Sequence, residues 1–150
     1  MPNARELMAA LGGRVGVPVT DSQAAAHAIR FDGHVVNLVA DDDRDELRCL
    51  VRVCPVPADP GARLALYGRL LKANACGLGT GGGQLGVDGG EASVILHWGA
   101  PAADLDADRL ESIVAALLDL AEALQRDVVP DPAGEPSAGR APPPAGGLRA

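Results

Sequence analysis

The 150-residue chain is long enough for one domain with a hydrophobic core and too short for two. Hydrophobic residues make up 47% of it but aromatic residues only 2%, so the core must consist of Leu, Val, Ile and Ala, and a nucleic-acid surface of stacking rings is disfavoured. The net charge of −7 also argues against phosphate binding; it favours partners with basic or amphipathic segments, although solubility alone also explains such a charge.

The first predicted element is a short helix from Arg5 to about Leu11. The pair Gly12-Gly13 follows, and two consecutive glycines are expected to end the helix there. Three apolar side chains share one side of this helix: Leu7, Met8 and Leu11.

Three strands are predicted next. Alternating side chains at 27–31 form the first, and Asp32-Gly33 is the strongest hairpin signal in the chain. The returning strand, His34 to Ala40, has Val36 and Leu38 on one face and Val35 and Val39 on the other. After an acidic turn at 41–44, a third strand runs from Leu47 to Val53, with its odd-numbered residues facing inwards.

A second helix is predicted from Ala62 to Ala75, and its apolar arc is very wide. The residues on this arc are Leu64, Leu66, Leu70, Leu71 and Ala75. A small sheet cannot cover such an arc from one side, so a second subunit is the simplest cover for the rest.

A glycine-rich loop leads to two short strands, Gln84–Val87 and Ala92–Trp98, and then to a long helix that begins near Asp106 or Asp108. The element order αβββαββα with consecutive hairpins predicts an α+β fold with an antiparallel sheet packed by helices. Residues 1–129 are predicted to form one domain, and the Pro/Gly/Ala-rich residues 130–150 a disordered tail that serves as a spacer or, as the alternative, docks as a polyproline II helix.

The glycine loop contains Gly77-x-Gly79-x-x-Gly82, which matches the dinucleotide-binding fingerprint in its letters. That fingerprint requires a strand before the glycines and a helix after them, so that the phosphate meets a helix N-terminus. Here a predicted helix precedes and a predicted strand follows. The glycines therefore predict positive φ angles and close backbone approaches rather than a cofactor site.

The other residues that could bind a metal ion or act in catalysis are dispersed along the chain. Asp41, Asp43 and Asp45 have the spacing of the first calcium-loop ligands, but Glu46 stands where the loop needs glycine, which indicates a solvated turn. The histidines lie on three separate strand-like segments without metal-ligand spacing: His27, His34 and His97. We expect no catalytic residue, no metal site and no cofactor.

The cysteines and the N-terminal residues indicate the cellular compartment in which the protein works. Cys49 and Cys54 lie five residues apart in one strand, so their side chains are expected on opposite faces, and Cys76 stands alone. Unpaired cysteines with apolar neighbours are typical of a reducing environment. Because the chain shows neither a signal peptide nor a run of membrane-spanning length, we expect a cytoplasmic protein without membrane insertion.

Five short motifs in order resemble the CesT/Tir-type class I chaperones of bacterial type III secretion. They are Leu70-Leu71-Lys72-Ala73-Asn74, Gly79-Thr80-Gly81-Gly82, Leu85-Gly86-Val87-Asp88, Val94-Ile95-Leu96, and Leu105-Asp106 with Leu110. The match spans roughly residues 64–126. Two features depart from the family pattern: Leu124 and Gln125 stand where an aromatic residue is usual, and a Pro-rich tail follows.

The resemblance implies a homodimer whose interface includes Leu70, Leu71, Leu85, Val87 and Ile95. It implies that the N-terminal segments of secreted effectors bind in extended form, by strand addition and in apolar grooves, without catalysis. The candidate groove residues are Leu7, Met8, Leu11, Val35 and Val39; the alternative is that these residues close the core. The secretion ATPase is a further expected partner, and a regulatory or structural dimer of the YbjN-like family is the alternative function.

Overall fold

A computed structural model describes residues 2–17, 25–31, 33–77, 79–90 and 92–128. Its elements are α1 (Ala4–Arg14), β1 (Ala26–Phe31), β2 (His34–Asp41), β3 (Glu46–Pro55), α2 (Pro60–Asn74), β4 (Gln84–Val87), β5 (Ser93–Pro101) and α3 (Ala107–Val128). The strands form one antiparallel sheet in the order β1-β2-β3-β5-β4. The predicted α+β class and element order are confirmed, and the predicted tail at 130–150 lies outside the described residues.

Helix α1 is longer than predicted. Asn3 caps its N-terminus, since its side chain accepts a hydrogen bond from the Glu6 N–H and the Glu6 carboxylate accepts one from the Asn3 N–H. The helix passes through Gly12 and Gly13, so the prediction that this pair ends it is wrong. A glycine costs a helix only about 1 kcal/mol, and Arg14 in the last turn gains ion pairs with Asp108 and Glu111 of α3.

Buried side chains of the sheet alternate with exposed ones, which defines an inner and an outer face. The inner face carries Ile29, Val36, Leu38, Leu47, Cys49, Val51, Val94 and Leu96. It packs against a stripe of α3 that consists of Leu110, Val114, Leu117, Leu118, Ala121 and Leu124. Helix α1 packs between α3 and β2, and α2 lies beside β4. The predicted alternation of β2 and β3 is confirmed by this burial.

The two strand cysteines do not lie on opposite faces as predicted. The β3–β5 register shifts between Arg52 and Cys54, which is a β-bulge that adds one residue to β3. Val53 and Cys54 are consequently both buried, and Cys54 shares the inner side with Cys49. Burial raises the pKa of the Cys49 thiol to about 12 and raises that of Cys54 as well.

Helix α3 begins where its sequence predicts. The Asp106 side chain accepts a hydrogen bond of 2.7 Å from the Arg109 N–H, and the Asp106 carbonyl accepts the Leu110 N–H. Its 22 residues give a length of about 33 Å, enough to cross the sheet.

Candidate partner-binding surfaces

The glycine-rich connector follows helix α2 and precedes strand β4. This is the reverse of the order that a dinucleotide-binding fingerprint requires. The connector leaves the 3₁₀ turn Ala75–Gly77 and enters β4. Gly77, Gly81 and Gly82 have φ angles of 65°, 57° and 90°, which favour glycine. A Cβ atom on Gly79 would lie 2.8 Å from the Ala73 carbonyl oxygen. The glycines therefore fold the chain tightly over the end of α2.

Asn74, the last residue of α2, holds β4 against the helix. Its side-chain Oδ1 accepts a hydrogen bond from the Leu85 N–H, and its Nδ2 donates one to the Leu85 carbonyl, both at 2.8 Å. A single amide side chain thereby satisfies the two backbone groups of Leu85 that point away from β5. Asn74 lies in one of the family-like motifs, but its role could not be predicted from the sequence because its partner lies beyond a loop.

Beside the Asn74–Leu85 hydrogen bonds, here called the Asn74 clamp, lies an open apolar depression of about 380 Å³, which we call the α2–β4 groove. Its lining is Tyr67, Leu70, Leu71, Asn74, Leu85, Gly86 and Val87. Leu64 and Leu71 are 74% and 72% exposed, so two large apolar side chains of α2 face solvent. Leu66 and Leu70 of the same helix are buried. The apolar arc of α2 is therefore covered on one side only, as its width predicted.

Four of the five predicted interface residues meet in this groove. Leu70 and Leu85 form its buried floor, Leu71 stands exposed beside them, and Val87 is partly buried. Ile95 does not join them, because it points to the outer face of the sheet, opposite Gly86 in the ladder. Ile95 instead lines a second cavity of about 410 Å³, which reaches around the β4 edge.

The outer face of the sheet is the second candidate surface. Its side chains form cross-strand rows, of which the central one contains Ala28, Asn37, Leu50, His97 and Gln84. A neighbouring row contains Ala26, Val39, Arg48 and Gly99. These side chains are exposed or partly buried, in contrast to those of the inner face.

The five predicted groove residues fall into two groups. Leu7, Met8 and Leu11 lie on the buried side of α1 and present no surface to a ligand in this conformation. They close the core, which is the alternative interpretation given above. Val35 and Val39 do lie on the outer face; Val35 is 45% exposed, while Val39 is partly buried. The apolar outer surface also includes Leu50 and Ile95, which sequence reasoning did not assign to a groove.

The histidines are kept apart by the fold. His34 Nε2 lies 2.7 Å from a carboxylate oxygen of Glu122, which ties the start of β2 to α3. Within the described ranges, no three His, Cys, Asp or Glu side chains are grouped so that they would hold a metal ion. None of the described helices is long and apolar enough to cross a membrane.

Comparisons with known proteins agree with this architecture. The model of the Tir chaperone protein (CesT) family matches residues 6–125. No curated protein matches the chain significantly. Among solved structures, a chain of the ExsC–ExsE complex has a TM-score of 0.66 at 26% identity, covering 83% of this chain and 92% of that one.

Two further structures share the fold at lower identity. A chain of the HopA1–SchA chaperone–effector complex has a TM-score of 0.63 at 18% identity, covering 80% of this chain and 91% of that one. A chain of the heterodimeric ExoU–SpcU complex, from the type III secretion system of Pseudomonas aeruginosa, has a TM-score of 0.59 at 16% identity, covering 81% and 93%.

Proposed function

Because the chain belongs to the Tir chaperone protein (CesT) family, we propose that it is a type III secretion chaperone. It binds the N-terminal segment of one or more effectors and keeps that segment competent for secretion. The observation that carries this function is the family match, which spans residues 6–125, nearly the whole described fold. The similarity to chains from the ExsC–ExsE and HopA1–SchA complexes supports it.

The chaperone acts as a homodimer, and the α2–β4 groove is its interface. Leu64 and Leu71 are the most exposed large hydrophobic side chains in the described part of the chain. A second copy that covers them removes this surface from water and gains about 25 cal/mol per Å² buried. Ile95 of β5, opposite Gly86 of β4, extends the interface around β4 onto the outer face.

Clients bind at surfaces that the dimer leaves free. Val35 and Val39 on the outer face offer apolar contacts, and the outer edge of β1, which pairs with no other described strand, offers main-chain hydrogen bonds to an added strand. Binding of this kind needs neither catalysis nor a cofactor. The chaperone works in the bacterial cytoplasm, where the secretion ATPase is its further partner.

The test is capture from the native cytosol with the full-length chaperone, followed by mass spectrometry and truncation of the captured protein. We expect a secreted protein that binds through its N-terminal segment and loses binding when that segment is deleted. A partner that binds through a folded domain, or capture that persists without the N-terminal segment, would contradict the proposed function.

A further inference from the structure

One cross-strand row of the outer face carries two arginines on either side of an exposed valine. Arg30 of β1 is opposite Val35 of β2. Val36 is opposite Val51, so the next position of the β2–β3 ladder places Val35 opposite Arg52. Arg52 in turn is opposite Ile95 of β5. We call Arg30, Val35 and Arg52 the arginine row.

The guanidinium groups of this row are unused within the described structure. Arg30 and Arg52 are exposed and form no ion pair or hydrogen bond with another described residue. Arg48, four residues before Arg52 on the same face of β3, differs: its Nη2 lies 3.1 Å from Asp41 and 3.3 Å from Glu46. The outer face is therefore positive at the arginine row and carries one net negative charge around Arg48. Such a positive end is unexpected in a chain of net charge −7.

We propose that the arginine row binds an amphipathic helix of the client through acidic residues spaced seven apart; this rests on the proposed chaperone function. Neighbouring strands lie about 4.8 Å apart, so the Cα atoms of Arg30 and Arg52 are separated by roughly 10 Å. Residues i and i+7 of a helix are separated by about 10.5 Å and lie on nearly the same face. Apolar residues between them, at i+3 and i+4, then contact Val35.

The chemistry of arginine favours a carboxylate in this position. A guanidinium pairs with a carboxylate through two parallel hydrogen bonds and loses little hydration on doing so. The negative surroundings of Arg48, two rows further along the strands, repel an acidic segment that is displaced in that direction, which favours binding of the helix at the arginine row. Arg30 and Val35 lie on β1 and β2, away from β4 and the α2–β4 groove, and Arg52 on β3 is separated from β4 by β5, so dimerisation through the groove leaves the row accessible up to its border with Ile95.

The test uses two fluorescently labelled synthetic helical peptides with the full-length chaperone. The first has Glu at two positions seven apart, with Leu and Ile at i+3 and i+4; the second has Lys in place of both Glu residues. By anisotropy at low ionic strength, we expect the Glu peptide to bind about tenfold more tightly than the Lys peptide, as two charge pairs at a partly covered surface allow. High salt should reduce this difference.

Substitutions in the arginine row test whether the Glu peptide binds there. Arg52→Glu, and the double variant Arg30→Glu/Arg52→Glu, should remove the preference for the Glu peptide, whereas Arg126→Glu, at an exposed position near the end of α3, should keep it. If Arg52→Glu does not fold by circular dichroism, Arg52→Gln decides by the same comparison. Equal affinity for both peptides, no binding of either, or an unchanged preference in these variants would overturn the inference.

Two further outcomes separate this inference from the proposed function. If Arg30→Glu/Arg52→Glu captures the native client as well as the wild type does, the chaperone function stands and the arginine row does not bind the client. If the same variant changes the molar mass in light scattering, the row contacts a second copy of the chain, which also overturns the inference.

Discussion

Replacing Asn74 by Ala tests whether one side chain fixes the edge strand that completes the α2–β4 groove. The substitution removes two hydrogen bonds of 2.8 Å, one to the Leu85 N–H and one to its carbonyl. Leu85 is buried, and it forms the groove floor together with Leu70. We therefore expect the loss to loosen β4 and to lower the free energy of unfolding.

The magnitude follows from the two bonds. A hydrogen bond contributes a net stabilisation of about 0.5 to 1.5 kcal/mol, so the pair accounts for about 1 to 3 kcal/mol. For a fold of this size that corresponds to a fall in melting temperature of roughly 3 to 12 °C, measured at one protein concentration because a dimer melts at a concentration-dependent temperature. Hydrogen exchange gives a local measurement: the Leu85 amide should lose protection before the amides of β2 and β3 do.

Asn37→Ala is the matched control. Asn37 is exposed on β2, and its side chain forms no hydrogen bond with another described residue. This change should alter the free energy of unfolding by less than about 0.5 kcal/mol. If Asn74→Ala is no less stable than Asn37→Ala, or if the Leu85 amide keeps its protection, the clamp does not stabilise β4.

Three further predictions concern the connector, the interface and the buried thiol. Gly79→Ala should destabilise the fold by about 1 to 3 kcal/mol in denaturant titration, because its Cβ would lie 2.8 Å from the Ala73 carbonyl oxygen, whereas Gly90→Ala, whose Cβ meets nothing within 4 Å, should be close to neutral. Leu71→Asp should give a monomer in light scattering with little loss of secondary structure, since Leu71 is 72% exposed in the single chain, and Ala65→Asp on the same helix should remain dimeric; a dimeric Leu71→Asp would exclude the groove as the interface. Because burial raises the folded-state pKa of Cys49 to about 12, the folded protein keeps this proton while the unfolded chain loses it; stability should therefore fall as pH rises from about 9 towards 12, and Cys49→Ala should show a smaller fall.

The order and type of the elements could be predicted because they depend on local patterns. The alternation of apolar residues predicted the two faces of β2 and β3. Asp32-Gly33 predicted the hairpin that pairs β1 with β2, and Asp106 predicted the start of α3. The wide apolar arc of α2 predicted an uncovered side, and the exposed Leu64 and Leu71 confirm that side. Each of these signals lies within a few residues of the feature that it predicts.

The remaining features depend on contacts between distant segments. The bulge that turns Cys54 inwards arises from the pairing of β3 with β5, some forty residues later in the chain. Asn74 acquires its role only when the glycine connector returns Leu85 to it. Burial of Leu7 could not be distinguished from exposure in a groove, because an apolar stripe looks the same in both cases until α3 is placed over it.

The two edges of the sheet differ in a way that predicts where a client strand can be added. At β4, the outward N–H and C=O of Leu85 are already bonded to Asn74. At β1, the two-residue hairpin makes Phe31 and His34 a hydrogen-bonded pair, and the bond from the Ala40 N–H to the Ala25 carbonyl continues the same alternation. The N–H groups of Ala28 and Arg30 therefore point away from β2, towards the edge at which no other described strand pairs.

The Ala28→Pro variant tests whether a client strand is added at the edge of β1. Proline removes the outward N–H of residue 28 without removing a β1–β2 hydrogen bond, and an edge strand tolerates it. We expect the variant to melt close to Ala28→Val, which keeps the N–H, yet to bind the client's N-terminal segment more weakly in calorimetry. Ile29→Pro, which removes a hydrogen bond to β2, should be destabilised instead. Equal client affinity of Ala28→Pro and Ala28→Val would show that the client does not add a strand at β1, since any added strand must accept hydrogen bonds from this edge.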